Sequence, residues 1–134
     1  MKSRFVPVLA AAVVLLASVL ACGGSISTAN IADAWMSTDE GGDSRTTAFA
    51  QDATFYAQVD LKNAPDDTKL KASWYAVNAE GVEPNFVINE TEFASGDGLI
   101  HFDLENDSLW PVGDYKVDIY LNDTLAKTLT FAVR

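Results

Sequence analysis

The chain has 134 residues, a hydrophobic fraction of 49% and a formal net charge of -10. This length supports one domain with a buried core and is short for two domains of ordinary size. The negative charge argues against a nucleic-acid partner and against anionic lipid head groups, because both are negatively charged themselves. The acidic residues are spread along the chain, as expected of a solvated surface.

The N-terminus has the three parts of a secretory signal peptide. Met1–Arg4 is a short basic start, and the run from Phe5 to Leu20 is almost wholly apolar. That run is shorter than the roughly 20 residues that a membrane-spanning helix needs. We therefore predict that residues 1–21 form an export signal that is removed. The alternative is an uncleaved membrane anchor, which would leave the domain in the same place.

The end of this leader resembles the lipobox of bacterial lipoproteins, whose pattern is Leu, a small or apolar residue, Gly or Ala, and then Cys. The matching residues are Val19, Leu20, Ala21 and Cys22. The resemblance implies that a diacylglyceryl group is attached to the Cys22 thiol, that cleavage occurs before this residue, and that a fatty acid such as palmitate often acylates the new amine. Cys22 is the one cysteine in the chain, so we expect no disulfide.

Small polar residues follow the predicted anchor. Residues 22–30 include two glycines and indicate a lipidated cysteine followed by a flexible tether. Two or three acyl chains hold a protein stably on a bilayer, whereas a single chain is marginal. In a two-membrane cell, the family's sorting rule implies that Gly23 favours outer-membrane delivery. We therefore predict an exported protein, lipid-anchored at the outer membrane or cell surface rather than at the inner membrane.

The rest of the chain shows the two-residue alternation of apolar and polar side chains that is typical of β-strands. Five segments show it clearly and two show it weakly. The clear segments are 55–62, 70–76, 100–104, 115–121 and 128–133, and the weak ones are 28–36 and 85–92. No segment has the apolar stripe of an amphipathic helix.

Turn-forming residues separate the predicted strands. They cluster at 39–43, 63–67, 80–81, 95–98 and 122–123, and the last pair is short enough for a hairpin. About seven short strands in roughly 100 residues predict a two-sheet antiparallel sandwich. One-sided alternation fits antiparallel sheets whose outer faces are solvated. The predicted fold is therefore an all-β domain over residues 31–134.

Two stretches resemble parts of the immunoglobulin-like (Ig-like) fold. Trp74 lies in the middle of the third predicted strand, where such domains bury a tryptophan. The stretch from Trp110 to Val117 resembles the corner that enters the penultimate strand. This resemblance implies that Tyr115 bonds back to the backbone and that Val117 faces the core, in a domain without the usual disulfide. It covers roughly residues 46–134 and implies a fold, since many functions share that fold.

The sequence contains no convincing set of catalytic residues. His101, the one histidine, alternates outward between two apolar residues, which indicates a solvated strand position. Ser95, His101 and Asp103 have the residue types of a catalytic triad, but the last two lie on one strand with no means of orienting the imidazole. One histidine and one cysteine are too few for a zinc site. We predict no catalytic residue, no metal and no cofactor.

Acidic residues offer two further candidates. Two glycine-containing loops carry carboxylates that could attract calcium, with Asp39, Glu40 and Asp43 in one and Asp97 in the other. Neither has an ordered calcium-binding pattern, so we interpret both as solvated turns. Glu90 and Glu92 would share one face of a weak strand. We interpret them as charges that guard a sheet edge against aggregation rather than as an acid–base pair.

One predicted sheet face could bind a partner. If the third and penultimate strands are neighbours in one sheet, Tyr75 and Tyr120 both face out from it, and Val77 lies near them. Exposed aromatic residues on one face are enriched at protein contacts. The alternative is that these tyrosines reflect strand propensity and cross-strand packing. Tyr56 should lie on the other sheet, apart from this group.

Taken with the leader, these features predict a non-enzymatic binding or accessory domain of the cell envelope, with a protein or glycan as its partner. The alternative is an Ig-like protease inhibitor that acts through end loops, either 95–98 or 78–84. An enzyme or a small-molecule carrier is disfavoured, because a sandwich of this size fills its core with side chains. The membrane, reached through Cys22, is the expected anchor point.

Overall fold

Eight β-strands make up residues 28–134, the part of the chain that the computed structural model describes. Cys22 and the predicted signal peptide lie outside these residues. The strands are β1 (Asn30–Ser37), β2 (Ala48–Phe49), β3 (Phe55–Lys62), β4 (Thr68–Ala79), β5 (Phe86–Ser95), β6 (Gly98–Leu104), β7 (Gly113–Leu121) and β8 (Thr124–Val133). Within this range no helix is long and apolar enough to cross a bilayer.

The strands form two sheets, a three-stranded sheet with the order β1-β3-β6 and a five-stranded sheet with the order β2-β8-β7-β4-β5. Every pair is antiparallel except β2 with β8, which run parallel over two residues. Alternate side chains of both sheets point into a shared core. The predicted all-β, two-sheet sandwich is confirmed, with one short parallel pair added to the antiparallel pattern.

The strand boundaries differ from the predicted ones in three places. Alternation does not reveal β2, because two residues are too few to show a period. β1 begins at Asn30, one residue inside the range assigned to the tether, and the Thr28 hydroxyl already donates to the Asn63 carbonyl at 2.8 Å. β5 continues through Ser95, because pairing with β4 extends the strand beyond its weakly patterned part.

An aromatic cluster around Phe55 forms the centre of the core. The Phe55 ring is fully buried, and its centroid lies 4.5 to 6.3 Å from those of Phe49, Trp74, Trp110, Tyr115 and Phe131. Aromatic pairs at such separations contribute about 0.5–1.5 kcal/mol beyond the burial of their area. Trp74 is buried at the position that the Ig-like resemblance implied. The Phe55 ring, on β3 in the three-stranded sheet, therefore packs against the five-stranded sheet and the β6–β7 connection.

Tyr115 forms a corner at the start of β7. Its hydroxyl donates to the Pro111 carbonyl at 2.6 Å, and Val117, two residues later, is fully buried. Burial raises the pKa of Tyr115, because the phenolate would lose the water that stabilises its charge. Both features that the resemblance implied for this corner are present.

The β7–β8 hairpin is closed by a two-residue turn. Asn122 and Asp123 have φ values of 47° and 70°, the left-handed pair that a type I′ turn requires. Leu121 pairs with Thr124 directly before and after the turn. The short hairpin connection predicted at 122–123 is therefore present.

One side of β8 is largely open. β2 pairs only with Ala132 and Val133, so among the described residues no strand covers that side of the rest of β8. Lys127 stands opposite the fully buried Ile119 and therefore projects from the inward-facing side of the strand. An inward charge keeps an open sheet edge from pairing with another chain.

The connection from β1 to β2 folds over the outer face of the three-stranded sheet. Gln58 points outward from β3 but exposes only 1% of its surface. Its Nε2 donates to the Glu40 carbonyl at 2.9 Å, and Trp35 Nε1 donates to the Gly42 carbonyl at 2.9 Å. Gly42 has a φ of 80°, and a Cβ there would lie 3.0 Å from the Gln58 side chain. The loop therefore covers a polar side chain that strand alternation alone would leave in water.

The two ends of the sandwich carry different connections. At the tether end, Asn30 begins β1 opposite Lys62, and the β3–β4, β5–β6 and β7–β8 connections lie beside it. At the distal end lie the β4–β5 turn (residues 80–85) and the β6–β7 connection (residues 105–112). At about 3.3 Å per residue, the length of β3 separates the two ends by roughly 25 Å.

Candidate functional site

Tyr75 and Tyr120 lie on the outer face of the five-stranded sheet, on the neighbouring strands β4 and β7. Both side chains are partly buried. Tyr75 stands opposite Lys116, and Tyr120 stands opposite Lys71. Tyr120 lies four positions after Lys116 on β7, so the two tyrosines are about 13 Å apart along the strands. They share a face without touching each other.

A lysine from the neighbouring strand covers each tyrosine. The Nζ of Lys116 lies 4.7 Å from the ring centroid of Tyr75, and the Nζ of Lys71 lies 4.5 Å from that of Tyr120. Such contacts contribute about 0.5–1 kcal/mol at exposed sites. The rings are therefore engaged in cross-strand packing, and their role in binding a partner stays a prediction.

A polar row separates the two tyrosines. Ser73 and Asp118 stand opposite each other in the middle of the face. The Ser73 hydroxyl donates to Glu90 at 2.8 Å, and the Thr128 hydroxyl donates to Asp118 at 2.8 Å. Asp118 is 5% exposed and also lies 3.3 Å from the Lys116 Nζ. The centre of this face is a hydrogen-bonded polar network rather than an apolar patch.

Val77 lies further along β4, at a shift in register between Ala76 and Asn78. Its carbonyl accepts a hydrogen bond from the Asn85 N–H at 3.0 Å, and its side chain is partly buried. It borders a shallow open depression that also includes Arg134. Val77 is thus on the Tyr75 side of the face, away from Tyr120.

An apolar cleft of about 200 Å³ opens at the distal end, between the β4–β5 turn and the β6–β7 connection. Apolar side chains from both segments and from the adjoining strands line it: Val82, Phe86, Ile88, Trp110, Pro111 and Tyr115. Sequence analysis does not reveal this site, because its two walls are more than 20 positions apart and neither shows a regular alternation.

Trp110 gives the cleft a fixed floor. Its backbone N–H donates to the Gln51 carbonyl at 2.8 Å, and its indole Nε1 donates to the Ala53 carbonyl at 2.8 Å. The Gln51 side chain donates in return to the Trp110 carbonyl at 2.9 Å. These bonds hold the β6–β7 connection against the loop before β3, so the cleft does not depend on a mobile loop for its shape.

Two large apolar side chains are exposed, one in the wall of the cleft and one next to a lining residue in the chain. Phe86 stands opposite Ala76 and faces inward from β5, yet it is 48% exposed because β5 is the edge strand. Leu109, directly before Trp110, is 62% exposed. Exposed apolar groups that gather beside a concave surface are typical of contact sites.

The three candidate triad residues, Ser95, His101 and Asp103, are not hydrogen-bonded to one another within residues 28–134. The Ser95 hydroxyl donates to the Gly96 carbonyl at 3.1 Å. His101 lies on the three-stranded sheet, with Nε2 3.8 Å from a Glu40 oxygen and its ring 6.0 Å from that of Tyr56. Asp103 faces outward on the same strand and is exposed.

The carboxylate of Asp39 is occupied by its own loop. Its two oxygens accept hydrogen bonds from the Ser44 N–H at 2.8 Å and the Asp43 N–H at 3.0 Å. These bonds, that from Ser44 first, lower the pKa of Asp39, because they stabilise the charged form. In the described part of the chain, no group of three or more His, Cys, Asp or Glu side chains is placed to hold a metal ion.

Glu90 and Glu92 lie on β5, which is the edge strand of the five-stranded sheet. Glu90 accepts from the Ser73 hydroxyl and lies 3.9 Å from the Lys71 Nζ. Glu92 stands opposite Lys71. Their position on an outer edge is the one expected for charges that guard a strand against edge-to-edge pairing.

The two loops considered for protease inhibition lie at opposite ends of the sandwich. The 95–98 turn is at the tether end, where Asp97 accepts a hydrogen bond from the Ala64 N–H at 2.5 Å. The 78–84 segment is at the distal end, where Gly81 has open space around it. The two loops therefore could not act together on one partner surface.

No protein-family model matches the chain, and no curated protein matches its sequence. Solved structures do share its fold. The alkylpurine DNA glycosylase AlkC of Pseudomonas fluorescens, bound to DNA containing an abasic site analogue, matches 83% of this chain with a TM-score of 0.54 and 11% identity. An immunoglobulin-like protein of Pseudomonas aeruginosa matches 82% of this chain and 99% of its own length, with a TM-score of 0.53 and 14% identity. A β-glucosidase of Listeria innocua in complex with glucose matches 75% of this chain, with a TM-score of 0.50 and 14% identity.

The described domain is therefore an Ig-like β-sandwich, as the sequence indicated. This chain spans 32% of the glycosylase and 16% of the glucosidase, so it is similar to one part of each enzyme. Identities this low show a common fold and carry no information about DNA or sugar binding by this chain.

Proposed function

We propose that this protein is an exported lipoprotein, held on a bacterial membrane by acyl groups on Cys22, whose Ig-like domain is a non-enzymatic binding or accessory domain of the cell envelope. The observation that carries the proposal is the short interval between the lipobox and the fold. Cys22 precedes Thr28 by six positions, and Thr28 is already hydrogen-bonded to Asn63 at the tether end.

This interval defines how an anchored domain would stand. A six-residue tether gives the domain little reach, so the tether end would lie near the bilayer surface. The distal end would face away from the membrane, roughly 25 Å further out by the length of β3. The connections at that end, and the apolar cleft between them, would then be accessible to other molecules.

The surroundings of the candidate catalytic side chains support a binding role. The Ser95 hydroxyl donates to the Gly96 carbonyl, whereas His101 lies 3.8 Å from a Glu40 oxygen. Both carboxylate oxygens of Asp39 accept hydrogen bonds from its own loop. The centre of the sandwich is filled by the aromatic cluster around Phe55, which leaves no room there for an enclosed ligand. The Ig-like fold is in keeping with a binding domain, although the same fold also occurs inside enzymes.

The anchor is tested by replacing the acceptor thiol. In cells fed an alkynyl palmitate, the wild-type chain should carry the label and sediment with membranes. Cys22→Ser should lose the label and accumulate as an unprocessed precursor, while Ser27→Ala, a change in the same segment, should behave like the wild type. Normal processing and labelling of Cys22→Ser would show that the chain is not a lipoprotein.

The location is tested by the residue after the cysteine. In a two-membrane host, the wild-type chain should fractionate with the outer membrane. Gly23→Asp should move it to the inner membrane, because the sorting rule reads an aspartate at that position as a retention signal. An unchanged distribution would contradict outer-membrane delivery by this route.

A further inference from the structure

The geometry points to the distal cleft as a docking site for a basic protein segment that presents one large apolar side chain. This inference rests on the proposed binding role and names the site and the class of partner. It does not depend on how the chain is anchored. Two independent properties of the distal end lead to it, the shape of the cleft and the distribution of charge around it.

The size of the cleft limits what it can hold. A drug-sized ligand or cofactor generally occupies 300–1,000 Å³, whereas this cleft has a volume of about 200 Å³. Its walls are mostly apolar side chains, joined by Asn106, and the Phe86 side chain in the wall is 48% exposed. A space of this volume and polarity fits one large apolar side chain of a partner better than a polar metabolite.

The two wall segments of the cleft carry charge of one sign. Residues 72–115 contain nine carboxylates and no lysine or arginine, and this stretch includes both walls of the cleft. Glu80 and Glu83 belong to one wall segment, and Glu105 and Asp107 belong to the other. All four are exposed, and none of them forms an ion pair within the described residues.

This distribution of charge favours a positively charged partner. Carboxylates in a partner would meet like charge on both sides of the cleft, whereas lysine or arginine would be attracted from a distance of about a Debye length. Anionic lipids and nucleic acids are disfavoured for the same reason. A second copy of this chain is disfavoured as well, because a two-fold contact through the cleft would bring two acidic rims together.

The orientation of the domain agrees with this assignment. The cleft lies at the end opposite Asn30, where the chain enters the sandwich. An anchored copy would therefore present the cleft away from the membrane. The site is also rigid, because Trp110 is hydrogen-bonded to both Gln51 and Ala53, so little ordering entropy opposes binding.

The test uses the full chain as purified, in nanodiscs of zwitterionic phosphatidylcholine if it carries an anchor and in plain buffer if it does not, with the same preparation without protein as the blank. The probe is a fluorescein-labelled, amidated peptide, Gly-Lys-Lys-Leu-Phe-Lys-Lys-Gly, followed by fluorescence anisotropy. Two comparison peptides replace all four lysines by glutamate or replace Leu-Phe by Ser-Ser. We expect the basic apolar peptide to bind, each comparison peptide to bind at least about tenfold more weakly, and added salt to weaken the complex.

Matched variants locate the binding. Phe86→Ser should weaken binding of the basic peptide by about tenfold or more, because it removes apolar surface from the wall of the cleft. Leu125→Ser is the control, since Leu125 is similarly exposed, at 51% against 48%, but lies at the tether end. Asp107→Lys should also weaken binding, and Asp67→Lys, an exposed position at the tether end, should not.

Four results would overturn the inference. These are absence of binding by the basic peptide, equal binding of the glutamate peptide, binding that Phe86→Ser leaves unchanged, and a dimer that Phe86→Ser dissociates while no peptide binds. The last result would assign the cleft to a second copy. None of these results bears on palmitate labelling of Cys22, so failure of the inference and failure of the anchor are distinguishable.

Discussion

The hydroxyl of Tyr115 donates to the carbonyl of Pro111 at 2.6 Å and thereby ties the start of β7 to the connection that carries the distal cleft. Tyr115→Phe should lower the free energy of unfolding by about 1 kcal/mol, because a buried hydrogen bond is lost while the ring is kept. Urea denaturation measures this directly. Tyr120→Phe is the control. Tyr120 lies on the outer sheet face, so the loss of its hydroxyl should leave the free energy of unfolding almost unchanged. Equal losses in the two variants would contradict a special role for the Tyr115 corner.

Gly42 and Gly81 form a natural pair for testing the loop that covers Gln58. Both have left-handed backbone, with φ values of 80° and 73°. Alanine at either position should cost roughly 1–2 kcal/mol in backbone strain. A Cβ at Gly42 would in addition lie 3.0 Å from Gln58 and 3.2 Å from Trp35, whereas a Cβ at Gly81 meets nothing within 4 Å. We therefore expect Gly42→Ala to be the more destabilising in guanidinium denaturation, and equal costs would show that the loop does not pack on Gln58.

Asp39 should make the free energy of unfolding depend on pH in the acid range. Its pKa is lowered in the fold from 3.8, so the charged form is favoured by folding. The stabilisation is fully present above the unfolded value of 3.8 and is lost as the pH falls through the lower, folded value. Asp39→Asn should therefore be less stable than the wild type at neutral pH, and the difference should shrink below 3.8. Urea denaturation of both chains over a series of pH values measures this difference, and a difference that stays constant from neutral pH to below 3.8 would contradict this role of Asp39.

Lys127 should keep the open edge of β8 from pairing with another molecule. Lys127→Val places an apolar side chain opposite Ile119 and removes the inward charge. We expect the variant to form dimers or larger species in analytical ultracentrifugation at concentrations where the wild type is monomeric. Lys62→Val removes an exposed lysine from the end of β3 and should remain monomeric. A monomeric Lys127→Val would show that the hairpin edge is protected by other means.

Strict alternation was sufficient to predict the strands that have one face in the core. β3, β4 and β7 are of this kind, because each places alternate side chains in the buried core. β2 could not be predicted in this way, since its two residues are defined by pairing with the far end of β8 and not by a pattern of their own. Gln58 is a similar case, because its burial comes from a loop that folds back over it.

The register of strand pairing decides which residues share a surface, and the sequence alone does not give that register. Alternation predicted that Tyr75 and Tyr120 face outward, and the Ig-like resemblance implied that their strands are neighbours. The structure places both tyrosines on one face of the neighbouring strands β4 and β7. Their separation by the row that holds Ser73 and Asp118 follows from the pairing of β4 with β7. The distal cleft was missed for a related reason. Phe86 and Leu109 are brought to one end of the sandwich only by the topology of β5, β6 and β7.

The way in which β1 enters the sandwich has a mechanical consequence. β1 pairs with β3 from Asn30 opposite Lys62 to Ser37 opposite Tyr56. A pull on the tether, resisted by a partner at the distal end, would act along the axis of β1. The hydrogen bonds between antiparallel strands run across that axis, so the pull would load the whole ladder in shear instead of peeling it open one bond at a time. If the chain is anchored as proposed, the domain would therefore transmit force between the membrane and a bound partner without a disulfide that holds its first strand.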